Sequence, residues 1–190
     1  MTTAIVPHKK TGYVTLILPH LYLGDIETSQ DKDVLHALQI THIINLSNSQ
    51  DNYHEWDLSQ AKPENIPVGH SPTVDNICYT TIQIDDAKTA NIAVHFDHCI
   101  KVIDAHINCN KNILVHCVCG VSRSVSIILS YLMYKKYTLK DAFHHVKQLR
   151  TQQYTLPNIG FFKQLMAYEL QQFGENTMTM NEYIAMRNNN

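Results

Sequence analysis

The stretch His116-Cys-Val-Cys-Gly-Val-Ser-Arg-Ser124 collects residue types that do chemistry on an anion. Cys117 is a candidate nucleophile, and Arg123 carries a guanidinium fork that matches phosphate oxygens. Ahead of them, Ile113-Leu-Val is a continuous apolar run that reads as a buried strand. Behind them, Val125, Ile128, Leu129, Leu132 and Met133 fall at helical spacing. The stretch is therefore a loop between a strand end and a helix start, where ligands bind in open α/β sheets. A helix N-terminus offers unpaired N–H groups and partial positive charge, and a short loop there can turn its own N–H groups inward as a phosphate nest. The same field favours a thiolate at the loop entry. Gly120 permits the tight turn and Ser124 places a hydroxyl near the sulfur. A core cysteine and a surface arginine at this spacing arise often by chance; the complete string between strand and helix is what points to phosphoryl transfer.

Such chemistry needs an acid, because a serine or tyrosine oxygen leaves poorly unless protonated in the transition state. Asp85 and Asp86 follow Tyr79-Thr-Thr-Ile-Gln-Ile84, which alternates like a strand. An aspartate there can hang over the pocket mouth, and Asp86 is favoured over Asp85. A turn or helix-cap role is the competing reading for either.

Other elements must bring these strand ends together. Val14 to Leu18 reads as a strand, with Leu21 to Gly24 closing it in a turn. Ser29 or Asp31 caps a helix through Val34, Leu35 and Leu38. His42 to Leu46 is a buried strand, and Ile92, Phe96, Cys99, Ile100, Ile103 and Ile107 share one helix face. Thr138 and Asp141 resemble a capping box, and Leu156-Pro-Asn-Ile-Gly-Phe161 opens a helix that ends near Gly174. These elements predict a single α/β domain with a central, mostly parallel twisted sheet covered by helices, the Cys117 loop lying between its central strand and a helix.

Residues 1–12 read as a leader, 13–174 as the domain and 175–190 as a tail. Met178, Met180, Tyr183, Ile184 and Met186 suit a short tail helix packed on the domain or on a second copy, so monomer and homodimer both stay open. Between about 48 and 78 lies a long insertion holding Pro63, Pro67, Gly69, Pro72 and the chain's only tryptophan, Trp56. It exceeds the usual connection length and is either a tolerated surface loop or a contact for substrate or partner.

A chain of 190 residues, 44% hydrophobic and 17% charged, suits one domain with its own core. A net charge of -2 gives no electrostatic case for nucleic acid or membrane. No run approaches the ~18 apolar residues of a membrane span, and the first residues lack the apolar core of a secretory signal. Five cysteines in no short, even framework fit free thiols in a reducing compartment, so cytoplasmic or nuclear residence is expected. His95 with His98, and His144 with His145, have no cysteine or carboxylate set to complete a metal site. Lys135, Lys136, Lys147 and Arg150 read as solvated faces.

The loop string resembles the signature of dual-specificity protein phosphatases, within the protein tyrosine phosphatase superfamily. Leu18-Pro-His-Leu-Tyr-Leu-Gly24, Ile40-Thr-His-Ile-Ile-Asn-Leu46, Ser130-Tyr-Leu-Met133 and Leu156-Pro-Asn-Ile-Gly-Phe161 look like family landmarks in the same order. The resemblance implies that Cys117 attacks phosphorus to form a phosphocysteine. It implies that the loop N–H groups of Val118, Cys119, Gly120, Val121, Ser122 and Arg123, with the Arg123 guanidinium, hold the phosphate oxygens. Asp86 then protonates the leaving oxygen and activates water, Ser124 eases thiolate expulsion, His116 tunes the thiolate and Asn158 braces the loop. No metal or organic cofactor is implied. The substrate implied is a phosphoprotein, on tyrosine and on serine or threonine, since no segment that deepens the pocket for tyrosine alone is evident. Phosphoinositide and RNA 5′-end phosphatases of the superfamily tend to carry basic loop residues, whereas Val118, Cys119, Val121 and Ser122 are uncharged. They stand as alternatives, with a pseudophosphatase scaffold as a third. Cys119 departs from the small residue common there; it is a filler, or a trap for oxidised Cys117 that so tight a loop would strain.

Overall fold

A tight turn at Pro19 and His20, with His20 at φ 69°, folds β1 (Val14–Leu18) back on β2 (Leu21–Gly24). The computed structural model describes residues 13–48, 73–74, 76–151 and 153–188. Leu21 to Gly24, expected as a turn, is thus a strand. It pairs in parallel with β6 (Asn112–His116) and buries Leu21 and Leu23 completely. Four residues are too few for a periodicity to show, and the partner strand lies far along the chain.

The sheet also contains β3 (Ile40–Asn45), β4 (Thr73–Val74) and β5 (Ile77–Thr81), in the order β1-β2-β6-β3-β5-β4. The four inner strands run parallel, and β1 and β4 are antiparallel edges, so the mostly parallel sheet is present. Register aligns the inner strands in one row: Gly24 and Asn45 both pair with His116, and Asn45 pairs with Thr81. The residues that follow all emerge at the carboxyl ends of the parallel strands.

Helices cover both faces. The first is packed by α1 (Ile26–Gln30) and α2 (Lys32–Ala37), with Val34, Leu35, Ile43 and Leu114 in its core. Asp31 caps α2, accepting from the Asp33 and Val34 N–H groups, while Ser29 lies inside α1. The second, larger core takes α3 (Phe96–Asn108), α4 (Arg123–Tyr134), α5 (Leu139–Leu149) and α6 (Ile159–Phe173). Helix α4 is buried from Arg123 to Met133. Thr138 caps α5, and Gly174 at φ 80° ends α6.

Two expected boundaries move. Strand β5 stops at Thr81, although Ile82 and Ile84 stay buried. Ile92 precedes a 3-10 turn at Ala93–His95, and α3 proper starts at Phe96. The insertion ends in the β4–β5 hairpin, turning at Asn76 with φ 64°. The leader and residues 49–72, Trp56 among them, lie outside the described residues.

The tail forms α7 (Met180–Asn188), which packs against its own domain. The Tyr183 ring stacks on Phe162 at 3.6 Å between centroids, and Met178 is buried in the same core. Buried Glu169 ties the approach to α7, accepting the Leu139 N–H at 2.6 Å and the Thr177 N–H at 3.0 Å. Among the described residues no helix is long and apolar enough to cross a membrane.

Candidate active site

Cys117 is the first residue beyond β6, only 2% exposed, and its Sγ lies 3.2 Å from Ser124 Oγ. The loop between them must reverse tightly, and Gly120 does so at φ 64°. A Cβ at Gly120 would stand 2.6 Å from the Gly24 carbonyl oxygen, so no side chain fits. Backbone bonds clamp the loop on both sides: Ile26 N–H donates to Val118 O and Leu156 N–H to Val121 O, each at 3.0 Å. Cys119 is exposed, and desolvation of its sulfur with the neighbouring Cys117 pushes its thiol up.

Arg123 opens α4 and is 4% exposed. Its Nη1 donates to Leu46 O and Ile84 O, both at 3.1 Å, which locks the guanidinium against the ends of two neighbouring chain segments. His116 is buried, with Nδ1 3.3 Å from the Cys117 carbonyl oxygen. Burial, helped by the Arg123 charge and opposed by that contact, pushes its pKa down to about 4. The imidazole is neutral at neutral pH, and a fixed neutral ring suits support of the loop rather than proton transfer.

The structure separates the two aspartates. Asp86 Oδ1 accepts from Ser122 Oγ–H and from Asn158 Nδ2, both at 2.7 Å. Asp85 instead accepts from Asn48, at the start of the insertion. Ser122 is the N-cap of α4 but does not cap with its side chain. Its hydroxyl reaches Asp86 and accepts the Asn158 N–H at 2.9 Å. Asn158 caps α6, accepting the Phe161 N–H at 3.0 Å. Gly160 lets that helix approach the segment after Asp86, because a Cβ there would lie 2.0 Å from Lys88 O.

The site also gathers residues that sequence reasoning missed. Arg150, expected on a solvated face, is 4% exposed, whereas Lys147 is exposed. The Arg150 charge interacts with Cys117 and Asp25, and burial lowers the Arg150 pKa to about 10. The signal was present: position 150 continues the Ala142 and Val146 spacing on the apolar face of α5. Asp25 caps α1, taking the Thr28 N–H on Oδ1 and the Tyr13 N–H on Oδ2, each at 2.9 Å. It follows β2, a strand that the sequence hides.

Residues 21–171 match the family model described as dual specificity phosphatase, catalytic domain. The chain belongs to this family. Human dual specificity protein phosphatase 4 is 38% identical over 165 residues, covering 86% of this chain and 36% of that protein. Dual specificity protein phosphatase 1 of Arabidopsis thaliana is 34% identical over 156 residues, covering 82% of this chain and 68% of its own length. The chain thus spans about a third of the human relative. Among solved structures, the human tyrosine phosphatase-like serine/threonine/tyrosine-interacting protein superposes with a TM-score of 0.69 at 28% identity, over 83% of this chain and 96% of that one. DUSP15 gives 0.64 at 28% identity, over 90% and 95%. The dual specificity phosphatase span takes in every residue from Asp25 to Asn158 described above and stops before α7.

Proposed function

We propose that this chain hydrolyses phosphotyrosine and phosphoserine or phosphothreonine in proteins through a phosphocysteine. The observation that carries the reading is the pairing of Cys117 Sγ with Ser124 Oγ at a strand end, with Asp86 tethered to the same loop through Ser122. In the first step the Cys117 thiolate attacks phosphorus, an S–P bond forms and the ester P–O bond breaks. Asp86 gives its proton to the departing oxygen. Arg123 and the loop N–H groups take the charge of the phosphoryl oxygens. In the second step the Asp86 carboxylate takes a proton from water, whose oxygen attacks phosphorus. The S–P bond breaks and the Ser124 hydroxyl donates to the leaving thiolate.

A protein substrate is favoured by the uncharged loop interior of Val118, Cys119, Val121 and Ser122. The deciding experiment measures turnover of matched phosphotyrosine and phosphothreonine peptides beside a phosphoinositide and an RNA 5′-triphosphate, with Cys117→Ser as control. Turnover of both peptides, lost in the variant, establishes the reading. Turnover of lipid or RNA alone retains the chemistry and replaces the substrate class. No turnover by the folded protein on all four brings forward the reading of a phosphate-binding module.

A further inference from the structure

Helix α7 lies outside the span that matches the family, yet it contacts the machinery from behind. Tyr183 Oη donates to the Pro157 carbonyl oxygen, and Arg187 Nη1 donates to the same oxygen at 2.9 Å. Pro157 C=O and Asn158 N–H are two ends of one peptide unit. The N–H end donates to Ser122 Oγ at 2.9 Å, and Ser122 Oγ–H donates to Asp86 Oδ1 at 2.7 Å. Four groups therefore form one chain in which every bond points the same way, from α7 to the Asp86 carboxylate. Bonds so aligned polarise one another. The peptide unit is also held at both ends, which fixes the Asn158 side chain whose Nδ2 meets Asp86.

We propose that α7 is a positioning element for Asp86, with Tyr183 as the residue that transmits it through the Pro157–Asn158 peptide. Tyr183 touches no substrate on this assignment; it sets the orientation of the group that does. Its ring is fully buried, stacked on Phe162 at an interplanar angle of 5° and edge-on to Phe143 at 5.9 Å, so the hydroxyl is delivered from a rigid mount. Burial, with Asp86 adding to it and Arg187 opposing, pushes the phenol up to about 12, which keeps it a donor across the physiological range. A tail that served only to cover apolar surface would need the ring but not the hydroxyl.

The proposal rests on the phosphatase reading above, and the test separates the two. Tyr183→Phe in the full chain keeps the stack and removes the donor. Turnover is compared on phenyl phosphate, whose leaving oxygen needs an acid, and on 4-nitrophenyl phosphate, whose leaving oxygen needs little help. The expected result is a fall of about fivefold in kcat/KM, which reports only the step that expels the phenol, on the phenyl ester and under about twofold on the nitrophenyl ester, the scale of one hydrogen bond. In an Asp86→Asn background the same substitution should do nothing further. Independently of turnover, the 13C carboxyl resonance of Asp86 should shift in Tyr183→Phe and, less, in Arg187→Gln. Equal losses on both esters, a loss that persists with Asp86→Asn, or an unmoved resonance would overturn the proposal. Should the native chain turn over neither these esters nor the phosphopeptides, the phosphatase reading falls and the resonance alone decides the positioning role.

Discussion

Asn158 donates its side-chain amide to Asp86 Oδ1 at 2.7 Å, although the two residues are 72 positions apart. Its carbonyl oxygen meanwhile caps α6 by accepting the Phe161 N–H at 3.0 Å. One side chain serves both because an amide carries a donor and an acceptor on opposite branches. Asn158→Asp keeps the cap, since aspartate caps as well as asparagine. It also sets a carboxylate against Asp86. Turnover of a phosphotyrosine peptide should fall by more than about tenfold while the melting temperature barely moves. Parallel losses of stability and turnover would assign Asn158 to the fold alone.

Gly160 makes a separate demand on the same loop. The Cβ of Gly160→Ala would meet Lys88 O at 2.0 Å, a backbone atom that cannot rotate away. Either α6 or the segment carrying Asp86 must shift. We expect a loss of about 3 kcal/mol in urea unfolding, the scale of overpacking. The kcat/KM on phenyl phosphate should suffer more than that on 4-nitrophenyl phosphate. A variant as stable as the native chain would mean that α6 and the Lys88 segment separate without cost.

Two buried histidines make stability depend on pH. His116 is pushed down to about 4 by burial, with help from Arg123. His42 is pushed down to about 4 by burial and then by His106, whose ring lies 4.3 Å away. Near pH 5 the unfolded chain has protonated both and the folded chain neither, so unfolding takes up protons. Stability is complete above about pH 6.5 and is lost as pH falls toward 4, on the order of 1 kcal/mol per pH unit for each histidine. Urea midpoints between pH 7 and 5 test the slope, and His42→Gln should reduce it. A flat profile would show that both rings titrate in the folded protein as they do in the unfolded chain.

Arg150 is a buried cation whose Nε and Nη1 have no hydrogen-bond partner among the described residues, while Nη2 donates to Gln153. Such a charge costs stability, and its field reaches Cys117. Arg150→Met should leave the fold as stable as before, or more so by about 1 kcal/mol, and weaken the binding of vanadate several-fold. Thermal melts with and without vanadate read both quantities. A destabilised variant with unchanged vanadate affinity would make Arg150 a packing residue only.

The Cys117 loop, its strand and its helix were legible in the sequence because all of their determinants are contiguous. An apolar run, a glycine where φ must be positive and a helical apolar stripe are local facts. The caps at Asp31, Thr138 and Gly174 were legible for the same reason. The sequence favoured Asp86 over Asp85, but only tertiary structure shows what holds it at the loop, because Ser122 and Asn158 reach Asp86 from 36 and 72 positions away. Tertiary structure alone made Leu21–Gly24 a strand, since a segment that short is defined by its partner β6 and not by its own pattern. It alone joined α7 to Pro157, through a hydroxyl and a guanidinium whose directions no spacing records. Local order follows from neighbouring residues, whereas the placement of Asp86 depends on backbone segments brought together only when the sheet's strand ends align in one row.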